Sequence, residues 1–202
     1  RALQRDGEGE AARVRVLGHD GPLESVFDTV FFAIGRRGNT RDLGLEEVGV
    51  EIGDRGEVVV DERQTTAVPS IHAVGDVAGK VGLTPVAIAA ARLLMDRLFG
   101  GQPEARMDYD TVPSVVFSHP PLGMVGLGEE EARRQFGEVK IYHSNFRPML
   151  QALADGTQRS LFKLVCAGPE ERVVGVHLLG ESADEILQGF AVAVKMGATK
   201  AQ

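Results

Sequence analysis

Residues 71–100 read IHAVGDVAGKVGLTPVAIAAARLLMDRLFG, an order of residue types that predicts a buried strand, a glycine-rich turn and a long helix. Ile71, Ala73 and Val74 are small or β-branched and run into Gly75, the pattern of a short core strand. Gly75 has no side chain, so a ligand can approach its backbone closely. Asp76 follows at the carboxyl end of that strand, where open α/β sheets place ligands. Its carboxylate can accept hydrogen bonds from ligand hydroxyls. Thr84 is expected as the N-cap of the helix and Pro85 as its first residue. Val86, Ile88, Ala89, Leu93, Leu94 and Leu98 recur at helical spacing, and Gly100-Gly101 closes the helix. The open N–H groups at Leu83, Thr84 and the following residues carry partial positive charge, which can stabilise negative charge on a ligand. On spacing alone, an ordinary strand-turn-helix unit with a surface aspartate fits the stretch equally well, because Gly-Asp turns are common.

Outside this stretch, composition narrows the choices. A chain of 202 residues allows one or two domains, and 43% hydrophobic residues are enough for a core. A net charge of −7 argues against nucleic acid as the main partner. No apolar run is long enough to cross a membrane. The first residues, RALQRDGEGEAARVRV, lack the apolar segment of a signal peptide. The chain starts without Met and ends directly after a helix, so a fragment of a longer protein is expected. The single cysteine, Cys166, rules out an internal disulfide and a CxxC metal site and fits a reducing, cytoplasmic setting.

Upstream, Ala12 to Ile34 reads as a β-meander. Val14 and Val16 alternate with Arg13 and Arg15, His19 to Pro22 is a turn, and Leu23 to Val26 returns. Phe27 to Ile34 is apolar on both faces and is expected as a central strand. It ends in AIGRRGN (33–39), where Arg36 and Arg37 suit either a phosphate or solvent. Leu43 to Val50 is expected as a short helix or turn packed by Leu43, Leu45 and Val48. Gly56 to Val60 is expected as a short strand, and Pro103 to Asp110 as a polar linker.

Downstream the texture changes. Strands are expected at Val112–Phe117, Met124–Leu127, Lys140–Phe146, Leu161–Cys166 and Arg172–Leu179. Helices are expected at Glu129–Phe136 and Ala183–Met196. That succession predicts an α+β domain with an antiparallel sheet. The last helix carries Ile186, Leu187, Phe190, Val192 and Val194 around much of its circumference. A dimer interface and burial within one subunit both account for this. Cys166 shares a strand face with Phe162 and Leu164 and reads as an inert core thiol. His119, before Pro120 and Pro121, reads as a hydrogen-bonded residue of a rigid turn rather than a base. His72, His143 and His177 have no metal-ligand spacing. From residues alone the chain is a ligand-binding α/β segment followed by an α+β domain.

Four motifs in order go further: AIGRRGN, VPSIHAVGDVAGKVGLTPVAIAAARLL, VPSVVFSHPPLGMVGL and LQGFAVAVKMGATKA. Together they closely resemble the C-terminal half of the flavin-dependent pyridine nucleotide-disulfide oxidoreductases, most nearly the glutathione reductase branch. NTRDLGLEEVGV is also similar to the large thioredoxin reductases. The resemblance implies an α/β plus α+β fold: the ends of two Rossmann-like nucleotide-binding domains, then a dimerisation domain with an antiparallel sheet. Residues 1–35 would end the NADPH domain, 36–108 would be the last part of the FAD domain, and 109–202 the dimerisation domain of a homodimer.

The resemblance also implies roles. Gly75 and Asp76 would lie at FAD, Asp76 on a ribityl hydroxyl, with Leu83, Thr84 and Pro85 opening a helix that faces the flavin ring. Gly35 and Arg36 would lie along NADPH, with Val115 and Phe117 near the nicotinamide. Arg92 would reach a glutathione carboxylate. Phe146 and Met149 would line the disulfide site across the dimer interface, completing a site for glutathione disulfide. Gly38 stands where the family usually has Pro, and Arg147 where glutathione reductases commonly have a small polar residue. The family's redox dithiol and catalytic His-Pro fall outside these residues, so no catalytic residue and no metal ligand is expected here, and the 202 residues alone are expected to be inactive. The alternatives are a related thioredoxin or other disulfide reductase, and a non-catalytic FAD-binding or dimerisation module.

Overall fold

The computed structural model describes the backbone of residues 3–6, 12–18, 21–27 and 31–202, and side chains from residue 31 onward. The chain folds as two compact units, Arg1–Arg37 and Gly38–Gln202.

In the first unit the Val/Arg alternation does form a strand. β2 (Ala12–Gly18) pairs antiparallel with β3 (Gly21–Phe27), in a register running from Ala12–Phe27 to Gly18–Gly21. An additional strand, β1 (Leu3–Asp6), pairs with the other edge of β2. His19 and Asp20 of the expected turn lie outside the described residues. Of the expected central strand over Phe27–Ile34, Phe27 is the last described residue of β3, residues 28–30 lie outside the described residues, and 31–34 carry no strand. Phe31 and Ile34 are 88% and 89% exposed. A strand apolar on both faces needs neighbours on its edges and layers above and below; among the described residues it has neither.

In the second unit the segment before the long helix is built from turns and isolated bridges. Ile52 bridges Val58 and Thr65 bridges His72, so the expected strands at Gly56–Val60 and Ile71–Val74 are reduced to single pairings. Without a longer partner neither can extend a ladder. Leu43 and Val48, expected to pack the 43–50 turn, point into solvent, whereas Val50 is buried. α1 (Thr84–Leu98) buries Val86, Ala90 and Leu94, a stripe at i, i+4 and i+8. Ile88, Arg92 and Met95 form its exposed face. The last turn of α1 holds the preceding segment. Arg97 Nη2 donates to the Arg63 carbonyl at 2.8 Å and to the Thr65 hydroxyl at 3.0 Å, and that hydroxyl shares a hydrogen bond with His72 Nδ1 at 3.2 Å. Residues 103–110 contain no helix or strand. They are tied down on both sides, through Arg63 to the Pro103 carbonyl and Glu104, and through Asp108 to Lys195.

Five antiparallel strands follow: β4 (Ser114–Val116), β5 (Leu122–Gly126), β6 (Val139–Phe146), β7 (Ser160–Ala167) and β8 (Arg172–Leu179), in the order β4-β5-β8-β7-β6. α4 (Ala183–Lys195) closes a core of Val125, Cys166, Val173, Val176, Leu178, Leu187, Ala191 and Val194. α2 (Glu129–Phe136) closes a second cluster through Ala132, Val139, Val165, Ala167 and Val174. Strand alternation assigns residues to these two clusters. It breaks at one place: Val165 pairs with Gly175 but Cys166 pairs with Val173, which leaves Val174 over as a bulge. The bulge resets the parity of β8, so Val173 and Val176 both join the α4 core while Val174 joins the α2 cluster.

Candidate functional site

Gly75 and Asp76 open a single 3-10 turn, Gly75–Ala78, rather than ending a strand. The turn packs against the start of α1. Gly75 has φ 76°, which favours glycine, and a Cβ there would sit 3.3 Å from the Ala87 methyl. A Cβ on Gly82 would stand 3.4 Å from Asp76 Oδ1. The chain therefore passes close beside the carboxylate at Gly82. Asp76 is exposed.

The helix start differs in one detail from expectation. Leu83, not Thr84, is the N-cap, in extended conformation, and Thr84 is already helical. Leu83 has no side-chain oxygen, the start carries no side-chain cap, and Pro85 in the first turn has no N–H. The Ala87 N–H is satisfied by the Leu83 carbonyl at 3.0 Å. Among the described residues, the Thr84 and Val86 N–H groups remain as the uncapped donors of the positive end of α1. Gly75, Asp76, Leu83, Thr84 and Pro85 are thus brought together in one exposed corner: an anion-favouring helix end and a hydrogen-bond acceptor, with glycines between them. Ala87 and Gly82 complete this corner and were not anticipated. The glycine two residues before Thr84 was the available signal.

Arg92 lies on the exposed face of α1, eight residues beyond Thr84, or about 12 Å along the axis. It sits between Ile88 and Met95, 47% and 46% exposed, so it is the charge on an otherwise apolar stripe. Gly35 and Arg36 fall in the first unit and are exposed, with Gly35 at φ 144°. Val115 is partly spent on structure: it packs against the α4 core, while Phe117 is 77% exposed. His119 is exposed and precedes a cis proline; the hydrogen bonds of this turn come instead from the Ser118 hydroxyl, which donates to the Pro120 carbonyl at 2.7 Å.

Phe146 and Met149 form a second grouping. Phe146 ends β6 and meets Phe162 edge-on, centroids 5.1 Å apart at 89°. Met149 opens α3 (Met149–Leu153), a five-residue helix that the sequence pattern does not predict. A helix of this length has no periodicity to detect. Arg147 lies between them. Its Nη2 donates to the Gln151 carbonyl at 3.0 Å, and the guanidinium lies 4.0 Å from Asp155 Oδ1.

Gly38, the other departure from the resembling family, is explained by its neighbour. A Cβ at Gly38 would stand 1.9 Å from the Gly56 carbonyl oxygen, and the Gly38 N–H donates to the Arg55 carbonyl at 2.9 Å. Proline could satisfy neither condition. Cys166 is 1% exposed, and burial pushes its thiol above the ordinary range, as a core thiol requires. Among the described residues no group of three His, Cys, Asp or Glu side chains could hold a metal, and no helix is long and apolar enough to cross a membrane.

Two family models match the chain. One, described as pyridine nucleotide-disulphide oxidoreductase, matches residues 2–91. The other, described as pyridine nucleotide-disulphide oxidoreductase, dimerisation domain, matches residues 112–202. The five-stranded sheet with α2 and α4 falls inside the second match.

Proposed function

We propose, because the chain belongs to the pyridine nucleotide-disulphide oxidoreductases, that it is part of an FAD-containing, NADPH-dependent reductase of glutathione disulfide that works as a homodimer. The observation that carries this is the corner where Asp76 and the uncapped start of α1 meet across glycines. FAD fits the donor set: a carboxylate for a ribityl hydroxyl, and backbone N–H groups of a helix end for the electron-rich edge of the ring. When bound, FAD supplies the relay of two electrons from NADPH to a disulfide.

The chain's own residues would serve that relay by binding and orientation. Gly75 and Asp76 hold the ribityl chain. Leu83, Thr84 and Pro85 aim the positive helix end at the site of accumulating negative charge. Gly35 and Arg36 would lie along NADPH. Arg92 pairs with a glutathione carboxylate. Phe146 and Met149 offer an apolar, polarisable surface to the disulfide across the dimer interface. The balance is one NADPH and one proton consumed for each disulfide cleaved to two thiols. The chain's only cysteine is buried Cys166, so the exchanging dithiol is not among these residues.

The test is flavin retention in the full-length enzyme carrying this segment. Asp76→Leu should weaken FAD binding about tenfold or more, read from the flavin-to-protein absorbance ratio after dialysis. Unchanged retention, with the helix start intact, would remove Asp76 from the site.

A further inference from the structure

We propose that Arg147 is a positioning residue: it fixes α3, and through α3 it sets where Met149 meets the disulfide substrate. The second half rests on the substrate-site reading given above.

α3 has little to hold it. Five residues are too few to be stable as a helix alone, and none of the five is buried. Met149 and Leu153 are 79% and 82% exposed. The anchors are polar and converge on one carbonyl. The Gln151 carbonyl accepts from Arg147 Nη2 at 3.0 Å and from the Gly156 N–H at 2.8 Å. Carbonyls at a helix C-terminus are orphaned acceptors at the negative end of the dipole, where a cation is favourable. Asp155 Oδ1 lies 4.0 Å from the same Nη2, and Asp155 itself sits in the left-handed region, φ 50°. Gln151 continues the tie through Nε2 to Glu181 at 3.5 Å.

Arg147 therefore spends one Nη2 donor on this chain. Added positive charge for the substrate is the simple reading of an arginine at this place; the hydrogen bond to Gln151 gives this one a use within the chain itself. A serine or threonine at 147 could not reach from the end of β6 over the turn of α3.

The experiment compares Arg147→Ser and Arg147→Lys in the full-length flavoenzyme, by hydrogen exchange across 149–156 and by steady-state kinetics. Two substrates are used, anionic glutathione disulfide and uncharged hydroxyethyl disulfide. Arg147→Ser should speed exchange in α3 and raise KM about tenfold for both disulfides, with KM for NADPH unchanged. Arg147→Lys, which keeps a donor and a charge, should recover most of both effects. Unchanged exchange in Arg147→Ser would overturn the inference. So would a KM increase confined to the anionic disulfide, which would make Arg147 a reader of substrate charge. Faster exchange with neither KM altered would instead remove α3 from the substrate site, and with it the specificity role.

Discussion

A methyl group at Gly38 would collide with the Gly56 carbonyl, and one at Gly56 would stand 2.8 Å from the Gly38 carbonyl oxygen. The two backbones touch, with Gly56 at φ 75°. Gly38→Ala must push apart two backbone segments rather than a flexible side chain, so it should cost about 1–3 kcal/mol. A urea midpoint unchanged from wild type would contradict this. A second residue-scale feature is Glu171. Lys140 donates to it at 2.5 Å and the Tyr142 hydroxyl at 2.7 Å, and these hold its carboxyl below the ordinary glutamate range. A carboxylate with a depressed folded-state pKa contributes stability above its unfolded pKa and loses it as pH falls through the folded value. Glu171→Gln should therefore melt lower than wild type at neutral pH, and its melting temperature should fall less steeply below about pH 5. Parallel acid limbs would show that the cluster does not contribute.

At the scale of elements, α4 carries two apolar faces. The inner face includes Leu187, fully buried in the core; Leu187→Ala should cost about 2–5 kcal/mol by thermal or chemical unfolding. The outer face shows Phe190 and Met196, 50% and 81% exposed. The proposed homodimer would give these exposed apolar residues a contact to fill. Phe190→Glu should leave the fold intact and shift sedimentation towards the monomer; an unchanged dimer would exclude that face. Elements such as α2 and β8 were legible to the residue, because a triple glutamate start and a short run rich in valine and leucine each have a local cause. The strand expected at Ile71–Val74 was not, because ladders depend on partners that local pattern does not specify. The same limit explains residues 31–34. The bulge at Val174 has no local signature either, since it is set by pairing across two strands. At the candidate site the residue types were legible and the local geometry was off by one: Thr84 looked like a cap, but Leu83 occupies that position. The polar anchoring of α3 by Arg147, Gln151 and Asp155 was invisible, since it depends on a carbonyl four residues away.

At the scale of the whole molecule, the apolar stripe of α1, the exposed Phe31, Phe32 and Ile34, and the outer face of α4 are surfaces that an FAD- and NADPH-binding homodimer has reason to cover. In the proposed function this chain serves electron transfer from NADPH to glutathione disulfide. The most direct measurement is anaerobic NADPH oxidation by the full-length protein, with thiol formation followed in parallel. One NADPH consumed per two thiols formed from glutathione disulfide, by a protein that purifies with bound flavin, is the predicted result. A flavin-free protein, or NADPH oxidation without thiol formation from glutathione disulfide, would contradict it.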